Sequence, residues 1–334
     1  MPHSVETDAQ KQEEKQRRMT TEPPEKLICR LAAPTIVSML ITSFYNMADT
    51  FFIAKLENTS ATGAVGVAFS LMAIIQAVGF FFGHGSGNFI SRELGKKNVR
   101  GAEEMAATGF FSSVIAGLFI LLAGMLFLHP LARLLGSTDT ILPYAVEYLR
   151  IILIGAPYMC ASLVLNNQLR FQSNAFFAMI GLTTGGILNL ALDPLLIFGF
   201  DMGVTGAALA TILSQLVSFV LLYIGVQRSD SLKIRFRNYR PNRFYLKNII
   251  NGGTPSLCRQ GLNSVSAIVL NTVAKGYGDA AIAAISIVSR IMMFASSAVI
   301  GFGQGFQPVC GFNYGAHLYG RVKRAYLFCV KYAT

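Results

Sequence analysis

Gly83-His84-Gly85, followed by Gly95, and Gly303-Gln304-Gly305, followed by Gly315, stand 220 residues apart in a chain of 334. Each stretch closes an apolar run and leads into a basic loop, Arg92 to Arg100 in the first and Arg321 to Arg324 in the second. Pro34 and Pro255, each early in an apolar run, repeat the interval at 221. The chain therefore reads as an internal repeat of membrane-spanning helices. Six spans separate the copies, and an even number returns the chain to the same face. The copies then share one orientation, with their symmetry axis along the membrane normal. The first copy ends near Gln227, and its counterpart would fall beyond residue 334. The second copy is expected to be incomplete, whether as a fragment or as a naturally short product.

Composition supports the membrane reading. Hydrophobic residues make up 53% of the chain and charged residues 13%, against about 25% charged in soluble domains. Mean hydropathy is +0.49. Apolar stretches long enough to cross a bilayer fall at 28–54, 62–86, 105–128, 141–165, 176–199, 203–227, 249–274 and 280–304, with a ninth beginning near Ala325. The expected fold is an all-α polytopic membrane protein, a six-helix N-terminal lobe over 28–227 followed by a partial second lobe over 249–334. Residues 1–27 are polar and charge-mixed, which predicts a disordered cytoplasmic tail. They lack the apolar core of a signal peptide. Residues 228–248 are expected to form a basic cytoplasmic linker.

Placement of the basic residues interprets the net charge of +11. With the N-terminus cytoplasmic, the tail, the 91–104 loop, Arg170, the 228–248 loop and the 313–324 loop carry most of the Lys and Arg. Only Lys55, Arg133 and Lys275 fall on the other side. This is the positive-inside distribution of a multi-pass protein of the cell inner (plasma) membrane. It is not a nucleic-acid footprint, since short loops separate the charges. The five cysteines form no CxxC pair, so neither a disulfide framework nor a zinc site is suggested. No phosphate-binding G-x-x-x-x-G-K-[ST] motif is present, nor HExxH or G-x-S-x-G. An enzyme is not expected, and no cofactor or obligate protein partner is called for.

Ionisable groups inside spans are costly and mark function by default. Asp49 in span 1 and Asp193 in span 5 are the clear carboxylates. At 1.5 Å per residue both fall in the outer half of the bilayer. Asn189 shares a helix face with Asp193, and Thr211 of span 6 and Tyr148 of span 4 fall at similar depth. Two carboxylates, an amide oxygen and a hydroxyl suit Na⁺. Equally, one member of a close, desolvated carboxylate pair would carry a proton, because burial and like charge both disfavour the second negative charge. Separate helix-packing hydrogen bonds are the alternative for each residue. Glu147 and Arg150 read as a local ion pair, His84 as a hydrogen-bonded packing residue, and Asn166 and Asn167 as ending span 4, with at least one a cap. Arg150, Arg259 and Arg290 are the intramembrane cations.

Four motifs together carry a family resemblance. They are Leu31-Ala-Ala-Pro34 with Tyr45-Asn46-Met47-Ala48-Asp49; Asn189-Leu-Ala-Leu-Asp193-Pro194; Gly203 through Gly206-Ala207-Ala208 to Thr211; and Gly303-Gln-Gly-Phe-Gln307-Pro308 through Asn313-Tyr314-Gly315-Ala316. The sequence resembles the multidrug and toxic compound extrusion (MATE) family over about residues 27–334, most closely a bacterial branch. The resemblance implies a twelve-helix fold of two six-helix lobes, here C-terminally incomplete, and export of small amphipathic or cationic compounds coupled to Na⁺ or H⁺. It assigns the coupling cation to Asp49, Asn189, Asp193 and Thr211, with Tyr148 and Asn166 close by. The glutamate that another branch places on its seventh helix is lacking; Cys258, Arg259, Gln260 and Asn263 occupy that stretch. The readings to be separated are a drug antiporter, a lipid-linked saccharide flippase with a basic cavity built on Arg150, Arg259 and Arg290, and a non-functional transporter fragment.

Overall fold

The structure, a computed structural model, describes residues 2–55, 59–228, 232–275 and 279–333; among these, the side chains of residues 2–9, 11, 12, 46, 49, 50, 53, 54, 59, 61, 62, 228, 290 and much of 264–289 lie outside the description. The described residues are helical almost throughout. The order is α1 (Pro2–Thr21), α2 (Pro24–Ala54), α3 (Thr59–Gly95), α4 (Val99–Leu126), α5 (Leu128–Leu134), α6 (Leu142–Phe171), α7 (Ala175–Pro194), α8 (Gly203–Arg228), α9 (Arg243–Lys275), α10 (Asp279–Gly315) and α11 (Tyr319–Ala333). A π-helical turn, Leu195–Gly199, extends α7.

Among the described residues, six helices, α2, α3, α4, α6, α7 and α8, are long and apolar enough to cross a membrane, and they form the first lobe. Its axis is α6, where 67% of the most apolar stretch is buried against 28–39% in the other five. Their outward faces carry exposed Phe119, Leu122 and Val220, as expected where the solvent is lipid. α9 and α10, the expected seventh and eighth spans, are 33 and 37 residues long.

The helices overrun the expected spans at their basic ends. The 37 residues of α3 measure about 55 Å at 1.5 Å per residue, against a hydrocarbon core of about 30 Å. Gly83 and Gly85 therefore lie inside α3, and the helix stops only at Gly95. There Lys97 takes a left-handed φ of 63°; its N–H bonds to Leu94 O and that of Asn98 to Glu93 O, a Schellman stop. The repeat is visible in the same detail. α10 spans α3's limits shifted by 220; His317 has φ 61°, and the N–H groups of His317 and Leu318 bond to Tyr314 O and Asn313 O.

The two copies meet at this end through their glycines. A side chain at Gly95 would collide with the Phe312 carbonyl, and one at Gly315 with the Arg92 carbonyl, the same contact read in opposite directions. Deeper in the bilayer Gly252 approaches Gly85 at 3.1 Å, and Gly305 lies against Ala32 at 2.7 Å, both measured from an ideal Cβ. Removing the side chain lets helix backbones touch, the main source of packing energy where lipid is as apolar as the protein.

Three expectations about polar segments change. Residues 2–21 form a helix rather than a disordered tail. Met19 is fully buried in a cluster with Leu94, Phe312 and Val309, and Asn313 Nδ2 donates to Met19 O at 3.1 Å. Tertiary contact supplies the order that composition withholds. The linker is shorter than 228–248, because Asn242 Oδ1 accepts the Tyr245 N–H at 3.0 Å and starts α9 at Arg243. What remains is packed, with Leu232 and Ile234 buried. The helix that carries the expected ninth span, α11, begins at Tyr319 rather than near Ala325, directly after the second Schellman stop.

Candidate functional site

α7 carries the centre of the predicted site. Asp193 is fully buried and Asn189 is 5% exposed. One turn apart on one face, they are joined by Asn189 Nδ2 donating to Asp193 Oδ1 at 3.2 Å. Pro194 lacks the N–H that would bond the Leu190 carbonyl, and the π-turn follows at once, closed by Phe200 N–H to Leu195 O at 3.0 Å. π-turns within α-helices concentrate at functional sites. The carboxylate thus sits where the helix loosens its own hydrogen bonding.

α8 packs antiparallel on α7. Gly181 faces Leu222, Gly185 faces Ser218, and Gly206 faces Leu196. This register puts Thr211 level with Asp193. Thr211 is buried, and its hydroxyl donates to Ala207 O at 3.0 Å, which leaves the oxygen lone pairs to accept. α2 lies beside α7, with Tyr45 against Gly186, so the backbone of Asp49 is about level with Leu190; the Asp49 side chain lies outside the described residues. Tyr148 is buried in α6. Its neighbour Glu147 accepts from Thr205 Oγ1, which keeps Tyr148 within two turns of Thr211, and Tyr158 OH donates to Ile212 O at 3.0 Å.

Asn166 does not belong to this group. Its Nδ2 donates to Ala178 O at 2.9 Å, and Ala178 precedes Asp193 by fifteen residues, about 22 Å along α7. Asn166 pins α6 to α7 at the basic end. Neither it nor Asn167 ends the helix, which runs on to Phe171. His84 packs as expected: buried, Nδ1 at 3.2 Å from Phe80 O, ring edge-on to Phe171. Glu147 bonds across to α8 as described, where a local pair with Arg150 was expected.

Two features carried no distinct sequence signal. An apolar cavity of about 330 Å³ lies between α2, α7 and α10, lined by Leu40, Ile41, Phe44, Tyr45, Gly186, Ile187, Leu190 and Phe294. It abuts the turn that carries Asn189 and Asp193. Beneath it Ser43 and Ser297 share a 2.6 Å hydrogen bond from α2 to α10, one serine in each lobe. Among the described residues no group of three or more His, Cys, Asp or Glu converges as a metal site. Arg150 and Arg259 are exposed, so they build no buried basic cavity; Arg290 lies outside the described side chains.

The multidrug export protein MepA of Staphylococcus aureus (strain N315) is 29% identical over 303 residues, which cover 90% of this chain and 67% of MepA. A crystal structure of MATE in the straight conformation superposes with a TM-score of 0.89 at 30% identity, over 95% of this chain and 71% of that one. An outward-facing multidrug resistance MATE family transporter of the MOP superfamily gives 0.87 at 30% identity, over 94% of this chain and 70% of that one. The MatE family model matches residues 34–195 and 255–334, on both sides of the linker and across both copies of the repeat, and the chain belongs to the MatE family.

Proposed function

We propose that the protein is a secondary active antiporter of the cell inner membrane. Its tail and basic loops lie in the cytoplasm, and it exports amphipathic, cationic compounds in exchange for Na⁺ or H⁺. The observation that carries this reading is the buried Asn189–Asp193 pair of α7 beside the Pro194 π-turn, level with Thr211. A buried carboxylate in a membrane helix is retained where it binds a cation or proton. Asp193 and Asp49 supply charge, Asn189 and Thr211 neutral oxygens, and Tyr148 orients the carboxylates. The apolar cavity with Phe44, Tyr45 and Phe294 suits the hydrophobic part of an amphipathic cation. Export of multiple drugs by MepA and glycine-mediated closure of the two copies at one end support the same reading. Exchange then follows from differential cation affinity for the outward- and inward-facing states.

The test is efflux of a fluorescent cationic dye from reconstituted vesicles under imposed Na⁺ or H⁺ gradients. Asp193→Asn and Asp49→Asn are each expected to reduce gradient-driven efflux at least about tenfold. The gradient that supports wild-type efflux identifies the ion. Wild-type rates in both variants would remove the mechanism.

A further inference from the structure

α1 touches both copies of the repeat at their closed end. On the first, Gln16 Nε2 donates to Gly95 O at 3.2 Å, at the last residue of α3, and Lys15 Nζ donates to Asn174 Oδ1 at 2.8 Å, between α6 and α7. On the second, Asn313 Nδ2 donates to Met19 O at 3.1 Å. Arg321 donates to Thr21 O and Glu22 O and fixes Asn313 through its Nε at 2.7 Å from Asn313 Oδ1. Met19 lies between, packed in one cluster with Leu94 of the first copy and Phe312 of the second.

These second-copy grips have no counterpart in the first. The residues 220 positions earlier are Glu93 for Asn313 and Gly101 for Arg321. Glu93 is occupied within its own turn by Lys96 and Asn98, and glycine offers no side chain. The attachment is also shallow. Met19 is the only fully buried side chain among those described in α1; the bond from Asn313 to its carbonyl is buried with it, and the other polar bonds of the hold lie at half-buried or exposed positions. Bonds of that kind hold geometry and can exchange with water, unlike the lobe cores.

We propose that α1 is a detachable latch that keeps the two copies together at their basic end, so that its release sets how often the protein opens toward that side. The proposal rests on the alternating-access reading above. An opening at this end separates Gly95 from Phe312 and Gly315 from Arg92, and α1 cannot stay bonded to Gly95 and Arg321 at once when they part.

The test is an electron–electron distance measurement on the full chain in lipid nanodiscs. The five cysteines are replaced, and spin labels are placed at Arg100→Cys and Gly320→Cys. These positions correspond through the repeat, and both are exposed at the basic end. Deletion of residues 2–20 is expected to raise the population with a widened mouth by about tenfold. Met19→Asp and Arg321→Ala, which keep the whole chain, are expected to raise it about threefold to fivefold. If the deletion does not fold, these two variants decide. A distance distribution unchanged by every variant that folds overturns the latch. The measurement needs no transported compound. A widened mouth in a chain without ion-coupled efflux supports the latch while removing the antiport reading. Normal efflux with an unchanged mouth overturns the latch alone.

Discussion

The α3–α4 and α10–α11 turns have one backbone and two chemistries. Both stop with a left-handed residue, Lys97 or His317, and both press a glycine onto the other's carbonyl. Around the first, the side chains close on themselves. Glu93 accepts from Lys96 at 2.7 Å and Asn98 at 2.6 Å, and Asn98 caps α4 by accepting the Gly101 N–H at 3.1 Å. Around the second, Asn313 and Arg321 reach outward to α1. One contact is even mirrored with its chemistry changed. Tyr245 donates to Glu104 at 2.7 Å, and at the positions 220 away Arg324 pairs with Glu25. Backbone geometry at this end follows from the repeat; what each half grips follows from a few polar substitutions on it.

The largest expected effect tests the shared backbone. Gly95→Ala and Gly315→Ala each force a Cβ onto a carbonyl of the facing helix, where neither backbone can rotate away. Each is expected to cost about 2–4 kcal/mol, read as loss of thermal stability in detergent. Gly320→Ala meets nothing within 4 Å and should change stability by less than about 0.5 kcal/mol. A silent Gly315→Ala beside a damaging Gly95→Ala would break the symmetry of the contact.

Much of this was legible in the sequence, for identifiable reasons. Apolar length and the 220-residue interval are properties of the chain itself, so the spans and the repeat could be counted. The face shared by Asn189 and Asp193 follows from helical spacing, and Thr211's level follows from the alternating direction of the spans. Helix ends were less legible, because Schellman turns and caps set them in the polar zone beyond the hydrocarbon; hence Gly95 rather than Gly85 ends α3. α1 was illegible for another reason. Its order depends on Asn313 and Arg321, some 300 positions away, and on one buried methionine. Asn166 marks the opposite failure. Tyr148 and Asn166 share α6 at a separation of eighteen residues, about 27 Å of helix, so one compact site could not hold both, whatever the resemblance assigned.

A middle-sized effect tests the mirrored contact. Burial first, and then the hydrogen bond to Glu104, push the Tyr245 phenol up to about 12, at the start of α9 ahead of its membrane-spanning part. The folded state therefore favours the protonated phenol. Its stabilisation is complete below the ordinary tyrosine value near 10 and fades as pH rises from there toward 12. Tyr245→Phe should cost about 1 kcal/mol near neutral pH and flatten the alkaline part of the stability profile. A wild-type profile equally flat above pH 10 would deny the phenol its role.

The smallest expected effect would sharpen the comparison by moving one residue's chemistry across the repeat. Asn98 caps α4, while Leu318, its counterpart, offers no acceptor to the first turn of α11. Asn98→Ala should cost about 1 kcal/mol. Leu318→Asn should return a smaller stabilisation, about 0.5 kcal/mol or less, because the Arg321 N–H that it would cap already donates to Leu318 O at 3.0 Å. A gain confined to the thermal stability of the chain, with the spin-label distances between positions 100 and 320 unchanged, would show that capping α11 and gripping α1 are separable tasks of one turn. A change in those distances would mean that stiffening α11 itself tightens the mouth, and that the second copy's missing cap is part of how this end is allowed to open.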